Sequence, residues 1–236
     1  MEMIEVDGLR IAYERAGDGP PLVLLHGYVG DGPTTWRRQI EGLSDDCLAG
    51  FVDRLGLGKP HVAGLSFGGA LSLELYRRHS TIPMTLILAS AYAGWAGSLP
   101  ADVAEQRLRQ ALVLADLSPD EFVGALLPTM FCEATPAEFV DEFGSTMLAF
   151  HPAGFRAMAR ASAEDLRDVL PHIDVPTLLV YGDKEVRAPL TVAEDLHAAI
   201  SGSTLVVLPD TGHLCNIEDP EEFNRVVRSF LGDRRS

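Results

Sequence analysis

His61-Val62-Ala63-Gly64-Leu65-Ser66-Phe67-Gly68-Gly69 is the stretch that decides the fold of this chain. The apolar run from His61 to Leu65 predicts a buried strand and Gly69 to His79 predicts a helix, so a serine sits at a strand-to-helix turn. A bare G-x-S-x-G pattern is a weak signal, but this context makes it a nucleophile elbow. Its flanking glycines let a strained backbone pass tightly between strand and helix. The Ser66 hydroxyl is thereby pushed out of the sheet, with backbone amides left free beside it.

Working outward, Pro21 to Leu25 reads as a buried strand running into His26-Gly27-Tyr28, a glycine turn able to present a backbone N–H toward the serine. The Tyr28 amide is therefore one candidate donor for an oxyanion, and the Phe67 amide, at a helix N-terminus, is the other. Downstream, a strand over Thr177 to Tyr181 delivers Gly182-Asp183-Lys184-Glu185, and a strand over Thr204 to Leu208 delivers Asp210-Thr211-Gly212-His213. Serine, acid and histidine follow one another in the order such a site needs.

The chemistry explains these residue types. A serine hydroxyl is a poor nucleophile at neutral pH unless an imidazole takes its proton, and a carboxylate must hold that imidazole in the right tautomer. His213 fits the base, and each oxyanion donor contributes on the order of 3 kcal/mol in comparable sites. His26 and Gly27 are expected to order the oxyanion loop. Cys215, two residues after His213, is a second nucleophile type nearby, but Ser66 already fills that slot.

On His26-Gly27, Gly64 to Gly69, Gly182 to Pro189, and Gly212-His213 followed by Glu218 and Pro220, the chain resembles the α/β-hydrolase superfamily, in its compact esterase, lactonase and perhydrolase-like branch. The resemblance runs over nearly the whole chain. It implies a mostly parallel central sheet flanked by helices, with a helical cap. The family's acid stands three residues after the strand-end glycine, which here is Glu185 in place of the more usual aspartate. Glutamate is one methylene longer, so Asp183 stays open as the competing acid.

Composition sets bounds. A chain of 236 residues, 47% hydrophobic, can bury a substantial core. A net charge of −15 and a pI near 4.8 argue against nucleic acid as a partner, since no dense basic patch is available to neutralise phosphates. No apolar run approaches the roughly 18–20 residues of a spanning helix and Met1 to Glu5 lacks a basic leader, so no membrane association and a cytoplasmic setting are expected. Cys47, Cys132 and Cys215 have no metal-ligand spacing and read as reduced thiols, so no metal is expected.

Alternating strands and helices place residues 1–93 and 171–236 in one α/β core. Helices are predicted with Trp36, Ile40 and Leu43 on one face, and with Leu48, Phe51, Val52 and Leu55 on one face. Asp219-Pro220 begins the last helix, with Glu222 at a capping-box position. Residues 94–170 change to consecutive helices without strands, with capping-box starts at Ser118-Pro119 and Thr135-Pro136. This segment is the expected cap inserted into the core. From it Trp95, Met130, Phe131, Met147 and Phe150 are candidate substrate-binding residues over Ser66.

One stretch departs from the resembled pattern. Gly42 to Asp46 runs directly into Cys47 to Phe51, where the family has a strand and an acidic, glycine-rich loop. Parallel strands need crossovers of about a dozen residues or more, so this junction is too short for the usual path. About 30 residues, including one central strand, are expected to be absent near Asp45 and Asp46. The sequence leaves open whether by omission or by genuine loss.

The function implied is a serine hydrolase acting on a small, largely apolar carboxylic ester or lactone, without metal or organic cofactor. Cofactor-free perhydrolase chemistry and C–C bond hydrolysis share the same triad. A non-catalytic ligand-binding protein on the same scaffold is the alternative from another class. Epoxide hydrolases and haloalkane dehalogenases of the superfamily carry an aspartate where this chain has Ser66. Oligomeric state is not legible.

Overall fold

The computed structural model describes residues 2–6, 9–17, 20–43 and 55–232. The strands are β1 (Glu2–Val6), β2 (Leu9–Tyr13), β3 (Leu22–Leu25), β4 (His61–Leu65), β5 (Thr85–Ala89), β6 (Thr177–Gly182) and β7 (Thr204–Leu208). β1 and β2 form an antiparallel hairpin. The other five form one parallel sheet in the order β3-β4-β5-β6-β7. Every residue of β4, β5 and β6 is buried, which is why these strands read as continuous apolar runs and not as alternating ones.

Helices follow the strands as α1 (Gly32–Leu43), α2 (Phe67–Arg78), α3 (Trp95–Ser98), α4 (Ala101–Leu114), α5 (Pro119–Leu126), α6 (Ala137–Met147), α7 (Pro152–Ser162), α8 (Leu190–Ala199), α9 (Cys215–Glu218) and α10 (Pro220–Gly232). Between β5 and β6 there are helices and no strand. The Leu166 amide donates to the Ala93 carbonyl at 2.9 Å, so this excursion leaves and rejoins the sheet at one point. A parallel sheet covered by helices is the architecture that the resemblance implies.

Local expectations meet the structure unevenly. At α5 the Ser118 amide donates to the Glu121 carboxylate at 3.1 Å and the Ser118 side chain accepts the Glu121 backbone amide, the reciprocal pair of a capping box, with a further hydroxyl-to-carboxylate bond at 2.6 Å. At α6 the expected box does not form. Pro136 precedes the helix and the Thr135 hydroxyl instead donates to Glu218 at 2.7 Å, a tertiary partner taking the local one's place. At α10 the Asp219 carboxylate accepts the Glu222 amide at 3.1 Å, while Glu222 itself pairs with Arg225 at 2.6 Å. The expected helix through Leu48, Phe51 and Val52, and the strand expected to be absent near Asp45 and Asp46, fall on residues 44–54, which lie outside the described residues.

Register brings the loops that matter to one edge. Leu25 stands opposite Gly64, and Leu65 opposite Ala89, so the C-terminal ends of β3, β4 and β5 finish together. This is the edge where parallel α/β sheets place ligands.

Candidate active site

Ser66 sits between β4 and α2 with φ +54° and ψ −112°, a backbone conformation that L-residues rarely adopt. Its amide continues the ladder by donating to Ala89 O at 2.8 Å. The glycines of the motif are required by close approach. A Cβ on Gly64 would lie 2.2 Å from the Gly68 carbonyl oxygen, and one on Gly68 would lie 2.2 Å from that of Leu25. Strand and helix therefore pack with no room for a methyl group, and that contact holds the strained turn in place.

The His26-Gly27-Tyr28 turn lies against this elbow, since a Cβ on Gly27 would be 3.6 Å from Ser66 Cβ. His26 is exposed, and its Nδ1 donates to the Gly27 carbonyl at 2.9 Å, which orders the turn. Neither the Tyr28 nor the Phe67 amide is a donor among the described loop and cap hydrogen bonds.

His213 and Glu185 are both buried, with 3% and 8% of their surface exposed. His213 Nδ1 lies 2.7 Å from Glu185 Oε2, so an Nδ1–H donor leaves Nε2 free as a base. The other carboxylate oxygen, Oε1, accepts the amides of Arg187 at 2.6 Å and Ala188 at 3.0 Å. These two amides resolve the extra methylene, because they fold the glutamate back into its own turn. Burial alone would raise the Glu185 pKa. The His213 charge and hydrogen bond, with both amides, outweigh it and hold the carboxyl below its ordinary value. Asp183 is exposed and pairs with Lys184 at 3.0 Å, which lowers its pKa. It is Glu185, not Asp183, that meets the imidazole.

The histidine loop is tied down from two sides. Glu218 accepts the Gly212 amide and the Cys132 amide, each at 2.9 Å, besides the Thr135 hydroxyl. Asn216 donates to Thr35 O at 2.7 Å and to Gln39 Oε1 at 3.1 Å, and Gln39 returns a bond to Asn216 O at 2.8 Å, locking α9 onto α1. Cys215 is fully buried. Burial, with the nearby Glu185 and Glu218 charges, pushes its thiol pKa far up and keeps it protonated.

Two narrow cavities of about 20 and 10 Å³ flank Ser66. Each holds about one water. Tyr92, Trp95, Arg107 and Arg187 line the first, while His213, Met130, Phe143 and again Arg187 line the second. Tyr28 borders both. Of the five candidate substrate-binding residues, Trp95 and Met130 reach this space and the other three do not. Phe150 stacks on Phe122 at 3.9 Å, Phe131 meets Phe143 edge-on at 5.7 Å, and Met147 is fully buried. The two phenylalanines spend their faces on ring partners, Phe122 and Phe143, and Met147 has no surface left for the cavity. A larger cavity of about 380 Å³ lies between β2 and β3, bordered by His26 and Trp36, but it contains neither Ser66 nor His213.

The arginines escaped sequence reading because Arg107 on α4 and Arg187 after β6 stand 80 positions apart. They meet through the Arg107 Nη1 bond to the Arg187 carbonyl at 3.0 Å. Among the described residues, no cluster of three or more His, Cys, Asp or Glu side chains is placed to hold a metal ion, and no helix is long and apolar enough to cross a membrane.

The family model of the alpha/beta hydrolases matches residues 6–226. This chain belongs to the alpha/beta hydrolase family. It is 25% identical to the pimeloyl-[acyl-carrier protein] methyl ester esterase of Vibrio vulnificus, covering 93% of this chain and 97% of that one. That alignment spans 263 positions, more than the 236 residues here, so the esterase carries segments with no counterpart in this alpha/beta hydrolase. Among solved structures, a thermophilic esterase of Thermogutta terrifontis with malate bound superposes with TM-score 0.88 at 26% identity, covering all of both chains. The enol-lactonase of Burkholderia xenovorans LB400, 22% identical with TM-score 0.84 over 98% of this chain and all of that one, shares the fold.

Proposed function

We propose that this alpha/beta hydrolase cleaves a small carboxylic ester or lactone through an acyl intermediate on Ser66. The observation that carries the reading is the buried 2.7 Å contact between Glu185 and His213, opening on the cavity that Ser66 also lines. His213 Nε2 takes the Ser66 proton as Oγ attacks the carbonyl carbon, and the Tyr28 and Phe67 amides receive the oxyanion. Collapse breaks the C–O bond, and the imidazolium returns its proton to the departing alcohol. Water, deprotonated by the same imidazole, then releases the acid.

The related ester hydrolase from Vibrio vulnificus supports the reaction class, and residues 94–170 act in this reading as the cap. The narrowness of the space at Ser66 favours short acyl groups. Replacing Ser66 with alanine should abolish both hydrolysis of 4-nitrophenyl acetate and labelling by a fluorophosphonate probe. A wild-type protein that is folded yet neither labels nor turns over esters would be a ligand-binding protein instead.

A further inference from the structure

Resting on that reading, we propose that the acyl half of the substrate carries a free carboxylate, held by Arg107 and Arg187, so that the enzyme cleaves monoesters of short dicarboxylic acids. The sides of the site follow from the proton. His213 must reprotonate the departing alcohol, and it lines one of the two cavities at Ser66. The acyl chain therefore occupies the other, which contains both arginines and not His213.

That acyl cavity is rich in donors. Arg107 commits Nη1 to the Tyr92 hydroxyl and the Arg187 carbonyl and lies over the Tyr92 and Trp95 rings, at 5.5 and 5.8 Å. Arg187 commits Nη1 to Thr129 Oγ1 at 2.7 Å. Each guanidinium has five N–H donors, so both keep donors in reserve. Among the described residues, neither forms an ion pair with a carboxylate. The Tyr28 hydroxyl at the same wall is buried without a hydrogen-bond partner, although the residue is only 7% exposed.

Both arginines are half-buried, with Glu185 the nearby counter-charge, so their spare donors and the orphaned hydroxyl around one narrow space are groups that an added anion would engage. Burial pushes the Arg187 pKa down and the Arg107 charge adds to that push, while Tyr92, Glu185 and Tyr28 oppose it. The arrangement is local, because the whole chain carries −15. A planar carboxylate suits the forked guanidinium donors, and because the cavity as it stands holds about one water, its lining side chains must give way to admit even a short chain.

The test compares monomethyl succinate with methyl butyrate, which has a methyl group in place of the carboxylate. Wild-type kcat/KM should favour the half-ester by about 10- to 100-fold, the range of charge-assisted hydrogen bonds. Free succinate should inhibit competitively. In Arg187→Gln and Arg107→Met the ratio of the two kcat/KM values should collapse toward one. Equal wild-type turnover of both esters, no inhibition by succinate, or a ratio unchanged in folded variants would overturn the anion subsite while leaving the hydrolase standing. No turnover of either ester together with an unlabelled Ser66 would remove the hydrolase reading itself, and the subsite with it.

Discussion

Glu185 grips His213 with one carboxylate oxygen and its own turn with the other, through the amides of Arg187 and Ala188. The side chain is thus fixed at both oxygens. Glu185→Gln keeps the shape but can favour the wrong imidazole tautomer, so kcat on 4-nitrophenyl acetate should fall by about 10³- to 10⁴-fold. Asp183→Asn should change kcat less than about threefold, because Asp183 faces Lys184 and solvent.

The same contact has a pH signature. Glu185 is held below its ordinary value of 4.5, so it contributes stability that is complete above that pH and is lost as pH falls through the lower folded value. Urea unfolding of wild type and Glu185→Gln should show a stability gap at about pH 6 that shrinks by about pH 3. A gap that widens on acidification would contradict the ionised, hydrogen-bonded carboxylate.

Glu218 is the second anchor of the histidine loop, bridging Gly212, Cys132 and Thr135. Glu218→Ala leaves three donors to find water. The expected loss is about 1–3 kcal/mol in urea unfolding, with a drop in kcat as His213 loses its fixed position.

At Gly68 a methyl group would meet the Leu25 carbonyl oxygen at 2.2 Å, and neither backbone can yield without moving strand or helix. Gly68→Ala should cost about 3 kcal/mol or more, read as a lowered Tm or as insoluble protein. Gly124→Ala, where nothing lies within 4 Å, is the matched control and should be neutral or mildly stabilising in its helix.

Tyr28→Phe removes a buried hydroxyl that has no partner. Denaturant stability should hold or rise by up to about 1 kcal/mol. The kcat/KM preference for monomethyl succinate over methyl butyrate should narrow, because the hydroxyl is one of the donors offered to the carboxylate.

Aromatic candidates show where local reading stops. Trp95 and Met130 line the space at Ser66, whereas in the same helical segment Phe150 packs on Phe122, Phe131 on Phe143, and Met147 is fully buried. Hydrophobic pattern reports that a side chain is inside, but not which of two interiors it faces. The failed capping box at Thr135 has the same origin, since Glu218 comes from 83 residues away to claim the hydroxyl.

The sequence by itself determined the elbow at Ser66, the all-buried character of β4, β5 and β6, and the chain order of serine, acidic strand end and histidine loop. These follow from short-range physics, because glycine sterics and strand or helix periodicity act within a few residues. The resemblance placed the acid at Glu185 with Asp183 as competitor, and tertiary structure supplied the contact of Glu185 with His213; tertiary structure alone decided that Arg107 and Arg187 converge beside the nucleophile. Such pairings depend on how distant segments pack, and no local pattern encodes which cations will share a cavity.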